Sequence, residues 1–174
     1  EHRGESAGVS FSSFPISEQA ILEGIRTVEW PGRLQVIRTD PLILLDGAHN
    51  PSGAVALSVY LRQEVDPHRL GQHFMIMGIL RDKNIREILS PQIGWADEIV
   101  LTRPAIERAA DPESLFAVLE GPVRKTIRKT VVEAIEYVES KIKPNDTLVI
   151  SGSLYTVSEA LAYYKGGTLS PVRG

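Results

Sequence analysis

The sequence predicts an α/β fold: a Rossmann-like, mostly parallel sheet of about six strands with helices on both faces. Three observations lead there. Short apolar runs alternate with segments whose apolar residues recur at three- and four-residue spacing, the period of an amphipathic helix. The run Leu42–Leu45 is apolar throughout, as expected of a strand covered on both faces in a parallel sheet. The four best runs end in small or polar residues, Asp46-Gly47, Gly78, Thr102 and Ser151-Gly152-Ser153, which gathers such residues along the sheet edge where open α/β folds hold ligands.

Residues 1–15 are polar and rich in glycine and serine, with weak alternation at Val9, Phe11 and Phe14; they read as a linker with one edge strand. Ser17 can cap a helix whose apolar face is Ile21, Leu22, Ile25 and Val28, ending near Pro31-Gly32. A strand over 33–38 turns at Asp40-Pro41 into Leu42–Leu45, and the pair reads as a hairpin. Asn50 then caps a helix with Pro51 at its first position and Ala54, Leu57, Leu61 and Val65 on one face. Asp66-Pro67 breaks it. His73–Met77 is the next buried run, 83–89 a short helix and Glu98–Leu101 the following strand. Asp111-Pro112 opens a helix carrying Leu115, Val118 and Leu119, and 123–127 forms a short strand. The spacing of Val131, Ile135, Val138 and Ile142 predicts a helix over 129–143, with Glu139 and Lys143 paired one turn apart. A strand over 147–150 and a helix carrying Leu154, Val157, Leu161 and Tyr164 complete the chain.

Composition narrows the function. At 174 residues the chain can bury a full core without staples, and it has no cysteine, which removes disulfides, thiolate metal sites and a cysteine nucleophile together. Net charge is −3 with Lys and Arg scattered along the sequence, so neither nucleic acid nor an anionic membrane is an expected partner. No apolar run approaches the roughly 18 residues that span a bilayer, and the start lacks a secretory signal. A cytoplasmic location and a monomeric state are the expectations. The opening EHRGESAGVS, charged and without Met, suggests a domain cut from a longer chain.

The stretch LILLDGAHNPS organises the rest, because it joins strand to helix where unpaired N–H groups and the helix dipole favour an anion. Asp46 reads either as a turn-forming aspartate or as an acceptor for a vicinal diol. His49 reads as a solvated histidine or as a carboxylate ligand. Arg33, after a Pro-Gly turn, is a surface ion-pair partner or a fixed cation for a nucleotide. Ser153 caps the last helix, a position suited to gripping a carboxylate, and Asn50, Lys83 and Tyr155 are secondary candidates. No G-x-x-x-x-G-K-[ST], metal cage or G-x-S-x-G elbow is present. His68 and His73 read as surface residues.

LDGAHNP, preceded by WPGRLQVI and followed by MGILRDKN and VISGSLYTVSEA, resembles folylpolyglutamate synthase/dihydrofolate synthase of the Mur ligase superfamily. The likeness runs from about Ile16 to Tyr164 and covers only that family's carboxyl-terminal domain. It implies a domain over 16–174, with 1–15 leading from an amino-terminal ATPase domain. It also implies ATP-dependent ligation of L-glutamate to dihydropteroate or folates through an acyl phosphate. On that resemblance Arg33 and Asp46 face ATP, His49 and Ser153 face glutamate, Lys83 neighbours a phosphate, and ATP and Mg²⁺ are held mainly by the amino-terminal domain, this chain's expected partner. Asn84 departs from the family's second acid in that loop, which leaves an acidic role there unsupported. A cell-wall precursor ligase domain, a stand-alone nucleotide- or amino-acid-binding module and, last, a small hydrolase using Asp46 and His49 are the alternatives. Which folate reaction is catalysed stays open.

Overall fold

The structure, a computed structural model, describes residues 16–28, 30–68 and 70–166. The expected edge strand within 1–15 lies outside them. The chain divides into two compact units, 1–30 and 31–174. Of the first unit, helix α1 (Glu18–Thr27) is described; Ser17 caps it by accepting from Ala20 N at 3.1 Å, as the sequence predicts. Its predicted apolar face, Ile21, Leu22, Ile25 and Val28, is exposed.

The second unit is one six-stranded sheet. Strands β1 (Gln35–Thr39), β2 (Leu42–Leu45), β3 (His73–Met77), β4 (Glu98–Leu101), β5 (Arg124–Ile127) and β6 (Thr147–Ser151) lie in the order β1-β2-β6-β3-β4-β5. The hairpin partner β1 is antiparallel to β2, with a bulge between Val36 and Arg38; every other pair is parallel. Because successive side chains of a strand point to opposite faces, each central strand supplies both sides of the core. Leu44, Met75, Met77, Ile99, Leu101 and Val149 pack with helices α2 (Pro51–Tyr60), α3 (Ile85–Leu89) and α4 (Pro112–Val118). Ile43, Leu45, Phe74, Ile76, Val100, Leu148 and Ile150 pack with α5 (Val131–Glu139) and α6 (Leu154–Lys165). The near-continuous apolar runs follow from this two-sided burial. On α5, Val131, Ile135 and Val138 are fully buried, each worth about 1.5–3 kcal/mol for leaving water.

Two local expectations are corrected. Helix α5 ends at Glu139, not near 143, and Glu139 turns from Lys143 to Arg38 Nη2 at 2.9 Å and to the Tyr164 hydroxyl at 2.9 Å. Lys141 reaches instead to Glu98, a buried carboxylate on β4, at 2.6 Å. Burial opposes ionisation of Glu98, but hydrogen bonds from Lys141, Thr126 and Tyr137 outweigh it and hold the carboxyl below the usual glutamate range. His73 is not a surface residue: its ring stacks on Trp95 with centroids 4.6 Å apart, and its Nε2 is buried without a hydrogen-bond partner.

Candidate functional site

The strand order creates the site. The chain leaves β2 for α2 on one face of the sheet and leaves the neighbouring β6 for α6 on the other, so the carboxyl ends of these strands border a topological switch point. Strand β3, on the other side of β6, also leaves toward the first face. Backbone hydrogen bonds knit the three exits together: Gly152 N donates to Ala48 O at 3.1 Å and Gly78 N to Ser151 O at 3.2 Å.

Asp46 sits at the end of β2 and is 8% exposed. Its Oδ2 accepts from Leu34 N at 3.0 Å and its Oδ1 from Ala48 N at 2.9 Å. The turn-forming reading therefore holds, and because each carboxylate oxygen has a second lone pair, capacity for a ligand donor remains. The same bonds bring Arg33 alongside, since Gly47 N also donates to Gly32 O. Arg33 is exposed, and Leu34 next to it has φ 44°, a left-handed conformation that a leucine adopts only where its surroundings impose it. In that conformation the Leu34 N–H donates to Asp46, and the turn around it is also held by Gly32 N to Gln35 Oε1 and Gly47 N to Gly32 O.

His49 is half-buried, with Nδ1 2.8 Å from Gly47 O. A carbonyl only accepts, so Nδ1 carries a proton and Nε2 is the atom left for a ligand. Asn50 caps α2, accepting from Gly53 N at 2.8 Å. Ser153 caps α6 and has no exposed surface. Its Oγ accepts from Thr156 N at 3.1 Å and lies 2.8 Å from Thr156 Oγ1, so the hydroxyl is engaged inside the protein. Tyr155, half-buried, stands on the first turn of the same helix. Lys83 follows β3, with Nζ 3.4 Å from Asp82, which also pairs with Arg108 at 3.1 Å. Asn84, in place of the family's acid, caps α3.

The fold thus gathers Arg33 with Asp46, and His49 with Ser153, around two adjacent strand exits. Lys83 follows the next exit, that of β3. One buried hydroxyl was not read from the sequence. Thr156 donates from Oγ1 to Gly78 O at 2.9 Å; its place three residues after the cap, where a capping box would hold Glu or Gln, was the legible signal. Thr102, at the end of β4, is buried with Oγ1 unpartnered. Among the described residues no group of three or more His, Asp or Glu side chains is arranged to hold a metal ion. Among the described residues no helix is long and apolar enough to cross a membrane.

Comparison with known proteins adds the context. A probable bifunctional folylpolyglutamate synthase/dihydropteroate synthase of Halobacterium salinarum is 32% identical over 168 residues, covering 92% of this chain and 20% of its own length. The structure of E. coli FolC in complex with DHPP and ADP superposes with a TM-score of 0.78 at 27% identity, covering 86% of this chain and 35% of that one. Bifunctional folylpolyglutamate synthase/dihydrofolate synthase of Yersinia pestis, solved with Mn, AMPPNP and L-glutamate bound, superposes at 0.76 with 29% identity, over 87% of this chain and 36% of that one. The chain accordingly spans between a fifth and little more than a third of these relatives. The Mur ligase, glutamate ligase domain family matches residues 32–154, a segment that holds the β2, β3 and β6 exits together, and the chain belongs to that family.

Proposed function

We propose that this chain is the carboxyl-terminal domain of an ATP-dependent ligase that joins L-glutamate to dihydropteroate or to folates. The observation that carries the reading is the closure of the β2 and β6 exits on one another through Gly152 N and Ala48 O, which brings the candidate nucleotide residues and the candidate glutamate residues to one edge. The names and ligands of the relatives support it. In the reaction, the acceptor carboxylate attacks the γ-phosphorus of ATP, releasing ADP and forming an acyl phosphate. Glutamate's amine then attacks the acyl carbon, loses its proton and expels phosphate.

Arg33 and Asp46 take the ATP side: a fixed cation beside a carboxylate whose spare lone pairs suit a ribose diol. His49 and Ser153 take glutamate. With Nδ1–H spent on Gly47 O, His49 meets a carboxylate through Nε2, which must carry a proton to donate. Ser153 acts through the turn that it caps, where backbone N–H groups at the start of α6 favour an anion. Asn50, Lys83 and Tyr155 border these two sides. The donor set described on this chain does not fit a metal ion, so the reading assigns Mg²⁺, with most of the ATP contacts, to an amino-terminal domain joined through 1–15. It takes the working protein as a cytoplasmic monomer. Closure of the two domains would keep water from the acyl phosphate.

The test is ligation by the full-length protein with His49→Ala and Ser153→Ala. Both variants are expected to raise the KM for glutamate while leaving that for ATP in place. Unchanged glutamate KM values would remove His49 and Ser153 from the glutamate side.

A further inference from the structure

One side chain bolts two of the strand exits together. Thr156 has no exposed surface, and its hydroxyl carries a single proton. That proton goes to Gly78 O at 2.9 Å, so in the 2.8 Å contact with Ser153 the serine is the donor. Ser153 Oγ in turn accepts from Thr156 N. The result is a directed chain, Ser153 O–H to Thr156 Oγ1 to the carbonyl at the end of β3, linking residues 78 apart in sequence.

The surroundings are built to admit it. A Cβ on Gly78 would stand 2.4 Å from Thr156 Oγ1, and a Cβ on Gly152, whose φ is 101°, would stand 2.8 Å from Gly78 O. Only glycines leave room for the three segments to approach this closely. From Gly78 the chain runs directly into the loop carrying Lys83, and from Ser153 back into the turn 151–153 that touches Ala48 beside His49. Asp46 and Arg33 are held by other bonds, from Leu34 N, Ala48 N and Gly47 N, in which Thr156 has no part.

We infer that Thr156 is a positioning residue for the amino-acid side of the site, acting through Ser153 and Gly78 to hold the α6 turn against the end of β3, so that an incoming amino-acid carboxylate meets that turn in place. The inference rests on the ligase reading above. Its signature is selectivity, because the amino-acid side depends on this bolt directly, whereas the nucleotide side meets α6 only where Leu154 and Val157 pack on Gly47 and Gly32.

The experiment compares Thr156→Val, of the same shape without the hydroxyl, with Thr156→Ser, which keeps it, in the full-length enzyme. KM for glutamate, KM for ATP, kcat and melting temperature are measured with a pteroate or folate acceptor. Thr156→Val is expected to raise the glutamate KM about tenfold, the scale of one buried hydrogen bond, with the ATP KM within about twofold of wild type. Thr156→Ser should restore the glutamate KM to within about threefold. If Thr156→Val does not fold, Thr156→Ala removes the same hydroxyl without adding an apolar branch, and the same selective rise is required of it. A lowered melting temperature with an unchanged glutamate KM, or an equal rise in both KM values, would overturn the inference alone. A wild-type protein that forms no ADP with glutamate and acceptor present would overturn the ligase reading and this inference with it.

Discussion

Replacing Asp46 by Asn separates the two things this carboxylate does. Both of its oxygens accept backbone N–H groups, from Leu34 at 3.0 Å and Ala48 at 2.9 Å, in a site only 8% exposed. Asn offers one acceptor and one donor in the same shape, so one of the two N–H groups must lose its partner and face an NH₂ group. An orphaned buried donor costs about 1–3 kcal/mol, and the surviving bond, no longer to a charge, loses about 1 kcal/mol more. The total is about 2–4 kcal/mol. For a chain of this size about 1 kcal/mol moves the melting temperature by roughly 2–4 °C, so Asp46→Asn should lower it by roughly 4–16 °C. Leu34, at φ 44° and donor to one of these bonds, gains freedom to relax when that bond is lost, which takes the effect toward the lower end. Thermal unfolding followed by circular dichroism at neutral pH reads the shift. In the full-length protein the displaced Arg33 turn should also raise the ATP KM. A variant melting within about 1 °C of wild type would refute the reasoning, because a carboxylate holding two buried N–H groups cannot be replaced without cost.

Two further outcomes follow from the same geometry. Gly152→Ala forces a side chain into φ 101° and against Gly78 O at 2.8 Å, and it should destabilise the fold by at least about 2 kcal/mol in urea titration; a loss under about 0.5 kcal/mol would mean the β3 and β6 exits are not in the contact described. Glu98→Gln removes the charge that Lys141, Thr126 and Tyr137 share, and should cost about 1–3 kcal/mol at pH 7. Because the native pKa of Glu98 is depressed, its contribution is fully present above the usual glutamate range and is lost as pH falls through the native value. The gap between wild type and Glu98→Gln should therefore narrow in acid, and a gap that widened there would contradict the assignment.

Much of the candidate site was legible because it is written in short segments. The caps at Ser17, Asn50 and Ser153 follow from residues three apart, and the structure forms all three. What the sequence could not reveal was competition for the same atoms. The Ser153 hydroxyl, exposed on paper, is enclosed by Thr156 and Gly78, and Asp46 spends a lone pair of each oxygen on the turn that it closes. Glu139 sits one helical turn from Lys143 in sequence, yet α5 stops at Glu139 and the carboxylate turns to Arg38 across 101 residues. An i,i+4 pair is worth only a few tenths of a kcal/mol, so a packed partner from another element readily displaces it.

By itself the sequence determined the alternation of strands and helices, the two-sided burial of the central strands, and the run of small and polar residues at their carboxyl ends. Each depends on hydrophobic periodicity and capping within a few residues. Only the tertiary structure decided that β6 inserts between β2 and β3, that His73 stacks on Trp95, and that Thr156 joins the last helix to the end of β3. Local pattern says which face of an element is apolar. Which two elements share that face is set by the path of the whole chain, since a contact between residues 78 apart leaves no period in the sequence to read.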